Sequence, residues 1–198
     1  MDTGMSGVKT VNLIGGRGHT GSELLGLIAR HPKMDLGIAS SRSEAGQRLS
    51  AICDQWPDDG RVFTQLEPSG VADYPADAWV LALPNNLAGD WVKAIGASFP
   101  DSVILDLSAD YRFDSAWTYG LPERFREDLS SAINISNPGC YATGSQMGLL
   151  PVKDHLVGIP DIFGVSGFSG AGKTPSPKND PEVLREYLVP YALNGHVH

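Results

Sequence analysis

A glycine-rich turn near the start of the chain constrains the fold more than any other feature. Residues 15–21 read GGRGHTG and follow residues 8–14, a short run typical of a strand. Residues 22–30 carry apolar side chains at helical spacing and end at His31-Pro32, where a helix cannot continue. In such a strand–turn–helix unit, glycines let the backbone approach a pyrophosphate and the helix N-terminus binds it. The turn therefore predicts dinucleotide binding, with a simple connection as the alternative. Its predicted cofactor-binding residues are Gly15, Gly18, His19, Thr20 and Gly21.

The residues that follow the second predicted strand, residues 34–39, favour NADP over NAD. NAD-specific folds place an Asp or Glu at the end of this strand, where it binds the ribose 2′-hydroxyl. Here Ser40, Ser41 and Arg42 stand instead, and two hydroxyls and a guanidinium suit a 2′-phosphate. Glu44 lies two residues past Arg42 and weakens this preference. The alternative is that Arg42 only solvates a loop.

The middle of the chain alternates strands with helices. Strands are predicted over residues 78–83 and 102–107, and a helix over residues 88–97 lies between them. Residues 78–83 are continuously apolar, as a buried parallel strand requires. These units predict an α/β fold, a Rossmann-like doubly wound parallel sheet. Pro84 follows the first of these strands at the carboxyl edge, where cofactors bind, and is predicted to contact the cofactor.

Cys140 is the candidate nucleophile of the chain. A strand is predicted over residues 132–136, and a buried helix containing Met147 over residues 142–150. The thiol then lies at a helix N-terminus, where unpaired N–H groups and the macrodipole favour a thiolate. The alternative role, a small buried apolar residue, is as good on local context alone. Cys53, in the irregular region over residues 43–70, has no polar company suited to catalysis and is predicted to be structural.

Arg112 follows the strand over residues 102–107, at the edge where such sheets bind ligands. A guanidinium in this position can bind a phosphate or a carboxylate through two parallel hydrogen bonds. An ion pair with Asp106 or Asp110, serving as a structural brace, is an equally good interpretation.

A second glycine-rich run, residues 166–174, follows a strand predicted over residues 161–165. Its spacing fits a Walker A motif, but Pro175 and Pro177 follow at once and prevent the helix that this motif needs. We therefore expect an anion-binding loop in which Lys173 supplies the charge.

The C-terminal residues offer two candidate acid–base groups. A short helix is predicted over residues 181–188, and the chain ends on His196-Val197-His198. Either histidine can serve as a general acid or base, and a surface side chain is the alternative for each.

Composition excludes several classes of protein. The net charge of −8 gives no footprint for nucleic acid or for an anionic membrane. No apolar run approaches the ~20 residues of a membrane span, and residues 1–9 lack the pattern of a targeting peptide. Two distant cysteines form neither a disulfide framework nor a zinc site, so a reducing compartment and no metal are expected.

Five motifs stand together in the order and spacing of one known family. They are GxxGxTG at residues 15–21, DLSADYRF at 106–113, YGLPE at 119–123, NPGCYAT at 137–143 and GVSGFSGAGK at 164–173. Together they resemble the N-acetyl-γ-glutamyl-phosphate reductases of arginine biosynthesis, over residues 8–198. Residues 174–181 resemble the subgroup that includes the reductase part of the fungal bifunctional enzyme. The resemblance overrides the Walker A interpretation.

The resemblance implies a mechanism. Cys140 attacks an acyl phosphate, phosphate leaves, and NADPH reduces the thioester to a semialdehyde. His196 and His198 match the family's histidine pair, and either can assist the thiol. Asn137 and the amide of Cys140 are implied to bind the oxyanion. The implied substrate-binding residues are Arg112, Ser166, Ser169 and Lys173. Arg17 and His19 depart from the family's pattern, and this departure is expected to leave the fold untouched and to alter the contacts to the pyrophosphate.

The resemblance also implies an organisation and a location. Residues 1–7 are expected to be a loose tail, 8–146 an NADP-binding domain that carries Cys140, and 147–198 the start of a second, incomplete α+β domain. Family members continue past the final His-x-His, so a truncated chain is expected, with a homo-oligomer as the full-length form. The expected partner is a small-molecule acyl phosphate in the cytoplasm, or in mitochondria for a fungal bifunctional precursor. An inactive NADP-binding fragment and an aspartate-semialdehyde-type dehydrogenase are the alternatives.

Overall fold

A parallel six-stranded sheet organises the first part of the chain. The computed structural model describes residues 7–190, and within them the strand order is β2-β1-β3-β4-β6-β5. Every neighbouring pair of strands is parallel. The strands are β1 (Lys9–Ile14), β2 (Met34–Ser40), β3 (Ala78–Leu81), β4 (Val103–Asp106), β5 (Thr118–Tyr119) and β6 (Asn134–Ser136). The predicted Rossmann-like doubly wound parallel sheet is confirmed.

Helical segments connect these strands, as a parallel sheet requires, except between β4 and β5, where residues 107–117 form turns and bends. They are α1 (His19–Arg30), α2 (Gly89–Ser98) and α3 (Pro122–Leu129), with 3-10 helices at Leu49–Ala51 and Pro68–Asp73. The strand order reverses at β1, which has β2 on one side and β3 on the other. Ligands of such sheets bind outside the carboxyl ends of the strands that meet at this reversal. The glycine turn after β1 and the loop after β3 both lie there.

Alternation along the strands separates the core into two clusters. Val80 packs in the cluster that contains Leu13 and Phe63, whereas its neighbours Trp79 and Leu81 pack in the other. Because successive side chains of a strand point to opposite faces, the two clusters fill the two faces of the sheet. Cys53 is buried in the first cluster, so its predicted structural role is confirmed.

The chain divides into two compact units, of which the first ends at Asn137 and the second begins at Pro138. The described part of the second unit contains α4 (Cys140–Leu149), α5 (Pro181–Leu184) and 3-10 helices at Leu150–His155 and Phe168–Ala171. No helix in the described part of the chain has the length and apolar character needed to cross a membrane.

Three predictions for the second unit are wrong. Residues 161–165 form no strand, because a strand needs a paired neighbour and the described residues of this unit contain none. No residue of α4 is buried, and Met147 is 40% exposed; the only other α-helix described in this unit, the four-residue α5, offers little apolar surface for packing. The helix predicted over residues 181–188 ends at Leu184.

Candidate active site

The glycine turn after β1 is built for close approach of three segments. Gly15 has a φ of +85°, and a Cβ atom there would overlap the carbonyl oxygen of Ala82, in the loop after β3. A Cβ on Gly21 would lie 2.6 Å from the carbonyl oxygen of Gly15. The amides of Gly15 and Gly16 both donate to the carbonyl of Ser40, at 3.1 and 2.9 Å. Only glycine at positions 15 and 21 lets β1, α1 and the β3 loop pack so closely.

The N-terminus of α1 is open to an anion. The helix begins at His19, and no side chain among the described residues caps it at Gly18. The side chains of His19 and Thr20 are exposed. Because the first N–H groups of a helix lack intrahelical partners and carry its positive dipole end, this terminus can bind a phosphate group.

The loop after β2 holds its arginine in an ion pair. Ser40 and Ser41 are buried, and the hydroxyl oxygen of Ser41 accepts the amide of Glu44 at 3.3 Å. The exposed guanidinium of Arg42 donates from Nε and Nη2 to the two carboxylate oxygens of Glu67, at 3.1 and 2.9 Å. The hydrogen bond and charge of Glu67 raise the pKa of Arg42 above its usual value.

Arg17, in the glycine turn, reaches the same loop. Its Nη1 donates to the hydroxyl of Ser43 at 3.0 Å and lies 3.7 Å from a carboxylate oxygen of Glu44. Arg17 and Arg42 therefore each face a carboxylate beside the glycine turn. The sequence indicated Glu44 as a neighbour of Arg42 but offered no sign of Glu67.

Two loops at the carboxyl edge bind each other through side chains. One oxygen of Asp110 accepts the amide of Asn86 at 2.7 Å, and the other accepts the amide of Ala88 at 3.2 Å. In return, Asn85 Oδ1 accepts the amide of Ala109 at 3.0 Å. We call this set of three hydrogen bonds the loop clasp. It fixes the loop that contains the exposed Pro84 and the start of α2.

Asp106, at the end of β4, is linked to Asp110 of the loop clasp through Ser108. It has no exposed surface, and it accepts the amide and the hydroxyl of Ser108 at 3.2 and 2.7 Å. The same hydroxyl oxygen accepts the amide of Asp110 at 3.1 Å. Desolvation raises the pKa of Asp106, and the hydrogen bonds of Ser108 oppose this effect only in part.

Arg112 joins the loop after β4 to the end of β6. Its Nε donates to the carbonyl of Asn137 at 2.9 Å, and its Nη2 donates to the carbonyl of Leu107 at 3.3 Å. The amide of Asn137 donates to the carbonyl of Asp106 at 2.8 Å. The structure thus brings together two predicted site residues, Arg112 and Asn137, through a backbone carbonyl.

Cys140 is the first residue of α4 in the second unit, and its thiol is exposed. No side chain among the described residues caps this helix at Gly139, and the hydroxyl of Thr143 donates to the carbonyl of Gly139 at 3.0 Å. The prediction that the thiol lies at a helix N-terminus is confirmed. The helix begins two residues earlier than the sequence indicated, because Pro138-Gly139 ends the extended segment sooner.

The glycine-rich run of the second unit forms a tight loop. The hydroxyl of Ser166 donates to the carbonyl of Gly167 at 3.1 Å, and Ser169 lies in the 3-10 helix Phe168–Ala171. Asn179 Nδ2 donates to the carbonyls of Gly172 and Thr174, both at 2.7 Å, on either side of the exposed Lys173.

Three further points concern the segment after Lys173, the two C-terminal histidines and a possible metal site. No helix follows Lys173 directly, since the next one described, α5, begins at Pro181. His196 and His198 lie outside the described residues. Within residues 7–190, no group of three or more His, Cys, Asp or Glu side chains is placed to hold a metal ion.

Two family descriptions match successive parts of the chain. Residues 10–132 match the semialdehyde dehydrogenase NAD-binding domain. Residues 140–198 match the semialdehyde dehydrogenase dimerisation domain. The first match covers β1 from Thr10 onward and the strands β2 to β5, β6 lies between the two matches, and the second match begins at Cys140.

Curated relatives with about 50% sequence identity to this chain are named N-acetyl-γ-glutamyl-phosphate reductase. Those of Xanthomonas axonopodis and Stenotrophomonas maltophilia are 51% and 52% identical over 96% of this chain, which covers 60% and 59% of theirs. The mitochondrial protein arg-6 of Neurospora crassa is 49% identical over 95% of this chain and 22% of its own. The chain thus spans about 60% of the length of the bacterial relatives.

Solved structures share the fold at low identity. Aspartate semialdehyde dehydrogenase from Candida albicans, solved with NADP, has a TM-score of 0.57 and 17% identity over 74% of this chain and 47% of its own. An enzyme of the same name from Vibrio cholerae has a TM-score of 0.55 and 18% identity over the same shares. The glycine turn, the parallel sheet and the two matched domains place the chain in the semialdehyde dehydrogenase family.

Proposed function

We propose that this chain catalyses the NADPH-dependent reduction of N-acetyl-γ-glutamyl phosphate to N-acetylglutamate semialdehyde, with release of phosphate. The observation that carries the proposal is the exposed thiol of Cys140 at the first residue of α4. A thiol in this position is accessible to a substrate, and its thiolate form can attack a carbonyl carbon. The similarity to reductases of this name supports the choice of acyl group.

The proposed chemistry divides one difficult step into two. The Cys140 thiolate forms a bond to the acyl carbon while the bond from that carbon to the phosphate oxygen breaks, so inorganic phosphate leaves. Bound NADPH supplies the hydride that reduces the thioester carbon. Hydride addition gives a hemithioacetal oxyanion, on which a neighbouring acid–base group can place a proton and from which it can take the same proton back. As the oxyanion forms the aldehyde C=O bond, the C–S bond breaks and the thiolate re-forms, so the proton consumed overall leaves with the phosphate. One hydride and one proton are consumed for each phosphate released.

The substrate roles are proposed from the family resemblance and from side-chain chemistry. Arg112 presents a guanidinium suited to a phosphate. Asn137 and the Cys140 amide are donors suited to an oxyanion. Ser166, Ser169 and Lys173 provide hydroxyls and a positive charge for the anionic substrate. His196 or His198 is the proposed acid–base group.

The described residues fit a dinucleotide in the proposed way. The tight turn that Gly15 and Gly21 allow and the uncapped start of α1 suit the pyrophosphate. Ser40, Ser41 and Arg42 are proposed to bind the 2′-phosphate, so NADP is favoured over NAD. His19, Thr20, Gly18 and Pro84 are proposed to border the same cofactor. A homo-oligomer is proposed for the complete protein, because residues 140–198 match a dimerisation domain.

The reverse reaction tests the proposal. NADP reduction is followed with N-acetylglutamate semialdehyde and phosphate, for the unaltered chain, for Cys140→Ala and for Cys53→Ala as the matched thiol control. We expect turnover to disappear only in Cys140→Ala, since Cys53 is buried in the core. Iodoacetamide should label one thiol in the folded chain, and none in folded Cys140→Ala.

Three outcomes would count against the proposal in different ways. Turnover that survives Cys140→Ala would overturn the thioester mechanism. Turnover with aspartate semialdehyde in place of the acetylated substrate would assign a different acyl group. NADPH binding without turnover in the unaltered chain would favour a non-catalytic role for these 198 residues alone.

A further inference from the structure

We propose that Glu67 limits the preference of this chain for a phosphorylated cofactor, because its carboxylate competes with the ribose 2′-phosphate for Arg42. Glu67 is thus a specificity-determining residue that lies outside the motifs of the glycine turn and the β2 end. The inference rests on the proposed use of NADP and concerns how tightly NADP is bound relative to NAD.

The carboxylate of Glu67 occupies the same hydrogen-bond donors of Arg42 that a phosphate would use. Glu67 immediately precedes the 3-10 helix Pro68–Asp73, and Arg42 lies two residues past β2. Nε and Nη2 of Arg42 each donate to a different oxygen of Glu67, at 3.1 and 2.9 Å. Two parallel hydrogen bonds from this fork are also the way in which a guanidinium binds a phosphate. A phosphate that binds in this manner must displace the carboxylate from the fork.

The negative charge of Glu67 disfavours a 2′-phosphate but not a 2′-hydroxyl. The carboxylate of Glu67 and the guanidinium of Arg42 neutralise each other, and Glu44 lies close to the neighbouring Arg17. A 2′-phosphate carries close to two negative charges and is repelled by Glu67 even after it reaches Arg42. The ribose 2′-hydroxyl of NAD carries no charge and needs no such displacement. Glu67 therefore weakens NADP binding and leaves NAD binding unchanged.

The exposure of the pair sets the size of the effect. The side chains of Arg42 and Glu67 are 75% and 47% exposed, so water screens their attraction and exchange of one partner for another is easy. Exposed ion pairs change equilibria only modestly, so we expect a change of about two- to fivefold in the dissociation constant. The effect should shrink as salt screens the charges.

The test compares dissociation constants of NADPH, NADH and adenosine 2′,5′-bisphosphate for four variants of the full chain. Glu67→Gln keeps the shape of the side chain and removes its charge, Arg42→Ala removes the proposed phosphate ligand, and the double variant combines them. Asp77→Asn is the matched control, because it breaks another exposed ion pair, with Lys9 at the start of β1 and so at the opposite edge of the sheet.

We expect Glu67→Gln to bind NADPH and the bisphosphate about two- to fivefold more tightly at low salt and NADH unchanged. The double variant should lose this gain, and Asp77→Asn should bind all three ligands like the unaltered chain. If Arg42→Ala weakens NADPH binding but Glu67→Gln leaves it unchanged or weakens it, competition by Glu67 is overturned and the cofactor assignment stands. If Arg42→Ala leaves NADPH binding unchanged, both the assignment of Arg42 and this inference are overturned.

Discussion

At the scale of single residues, Asp106 makes the stability of the fold depend on pH. Its carboxyl group has no exposed surface, and desolvation raises its pKa above the usual value of 3.8. As pH rises, the unfolded chain therefore loses this proton before the folded chain does. The stabilising contribution of Asp106 is complete below the unfolded pKa and is lost as pH rises through the folded pKa.

We expect Asp106→Asn to remove this part of the pH dependence. An Asn side chain can still accept the amide of Ser108, while no charge has to be desolvated. The free energy of unfolding of the unaltered chain, measured with urea, should fall relative to that of the variant from about pH 4 upward. Ser108→Ala is the companion variant, because it removes a hydrogen bond that lowers the pKa and should make the fall extend to higher pH. Equal pH profiles for the unaltered chain and Asp106→Asn would contradict the assignment.

Alanine substitutions at Gly15 and Gly46 separate the cost of backbone strain from the cost of steric overlap. Both have positive φ, +85° and +82°, but a Cβ would overlap the Ala82 carbonyl at Gly15 and meet nothing within 4 Å at Gly46. We expect Gly46→Ala to lower the free energy of unfolding by roughly 1–2 kcal/mol, the usual cost of a left-handed side chain. Gly15→Ala should cost at least about 1 kcal/mol more, because the backbone must also shift. Urea unfolding gives both values. Equal losses of unfolding free energy would show that the loop after β3 shifts at no measurable cost.

At the scale of elements, the loop clasp is what positions the carboxyl edge of the sheet. Asp110 binds the amides of Asn86 and Ala88 just before α2, where a negative charge also complements the helix dipole. Asn86 has a φ of +67°, which only a few residue types adopt easily. The clasp therefore holds the β3 loop in a conformation that the loop would not keep alone.

We expect Asp110→Asn to loosen this loop. An Asn side chain has one acceptor oxygen for two amides and lacks the charge, so the free energy of unfolding should fall by about 1 kcal/mol. Hydrogen exchange at the amides of Asn86 and Ala88 should speed up, while exchange in the core strands stays the same. Asp101→Asn is the control, since it removes an equal charge just past the C-terminal end of α2 and should be neutral or slightly stabilising. Unchanged exchange at both amides would show that the clasp does not hold the loop.

At the scale of the whole molecule, the sequence predicted what local patterns determine. Apolar runs located β1 to β4, and the glycine turn located α1, because strand pairing and turn geometry leave local marks. Contacts between residues far apart in the sequence leave no such local mark. Arg42 and Glu67 are 25 positions apart, and Asp110 and Asn86 are 24 apart. Such pairs arise from the order of strands in the sheet. The predicted strand over residues 161–165 failed for the same reason, since its apolar pattern does not reveal whether a partner strand exists.

The division into two units leads to a prediction about stability. Both hydrophobic clusters lie wholly within residues 11–117, whereas no residue from 140 to 190 is buried. A fragment of residues 1–137 should therefore unfold cooperatively, with a free energy of unfolding within about 1 kcal/mol of that of the full chain. All four tryptophans lie in this fragment, so their fluorescence follows its unfolding in both chains.

Residues 138–198 should behave differently as a separate fragment. Apart from Pro138 and Gly139 at its start, this segment has no buried residue in its described part, so it has little to offset the entropy of ordering its backbone. Far-UV circular dichroism during urea titration should then show a gradual change without a cooperative transition. A cooperative transition in the second fragment, or a midpoint of the first fragment well below that of the full chain, would show that residues 138–198 contribute to a shared core.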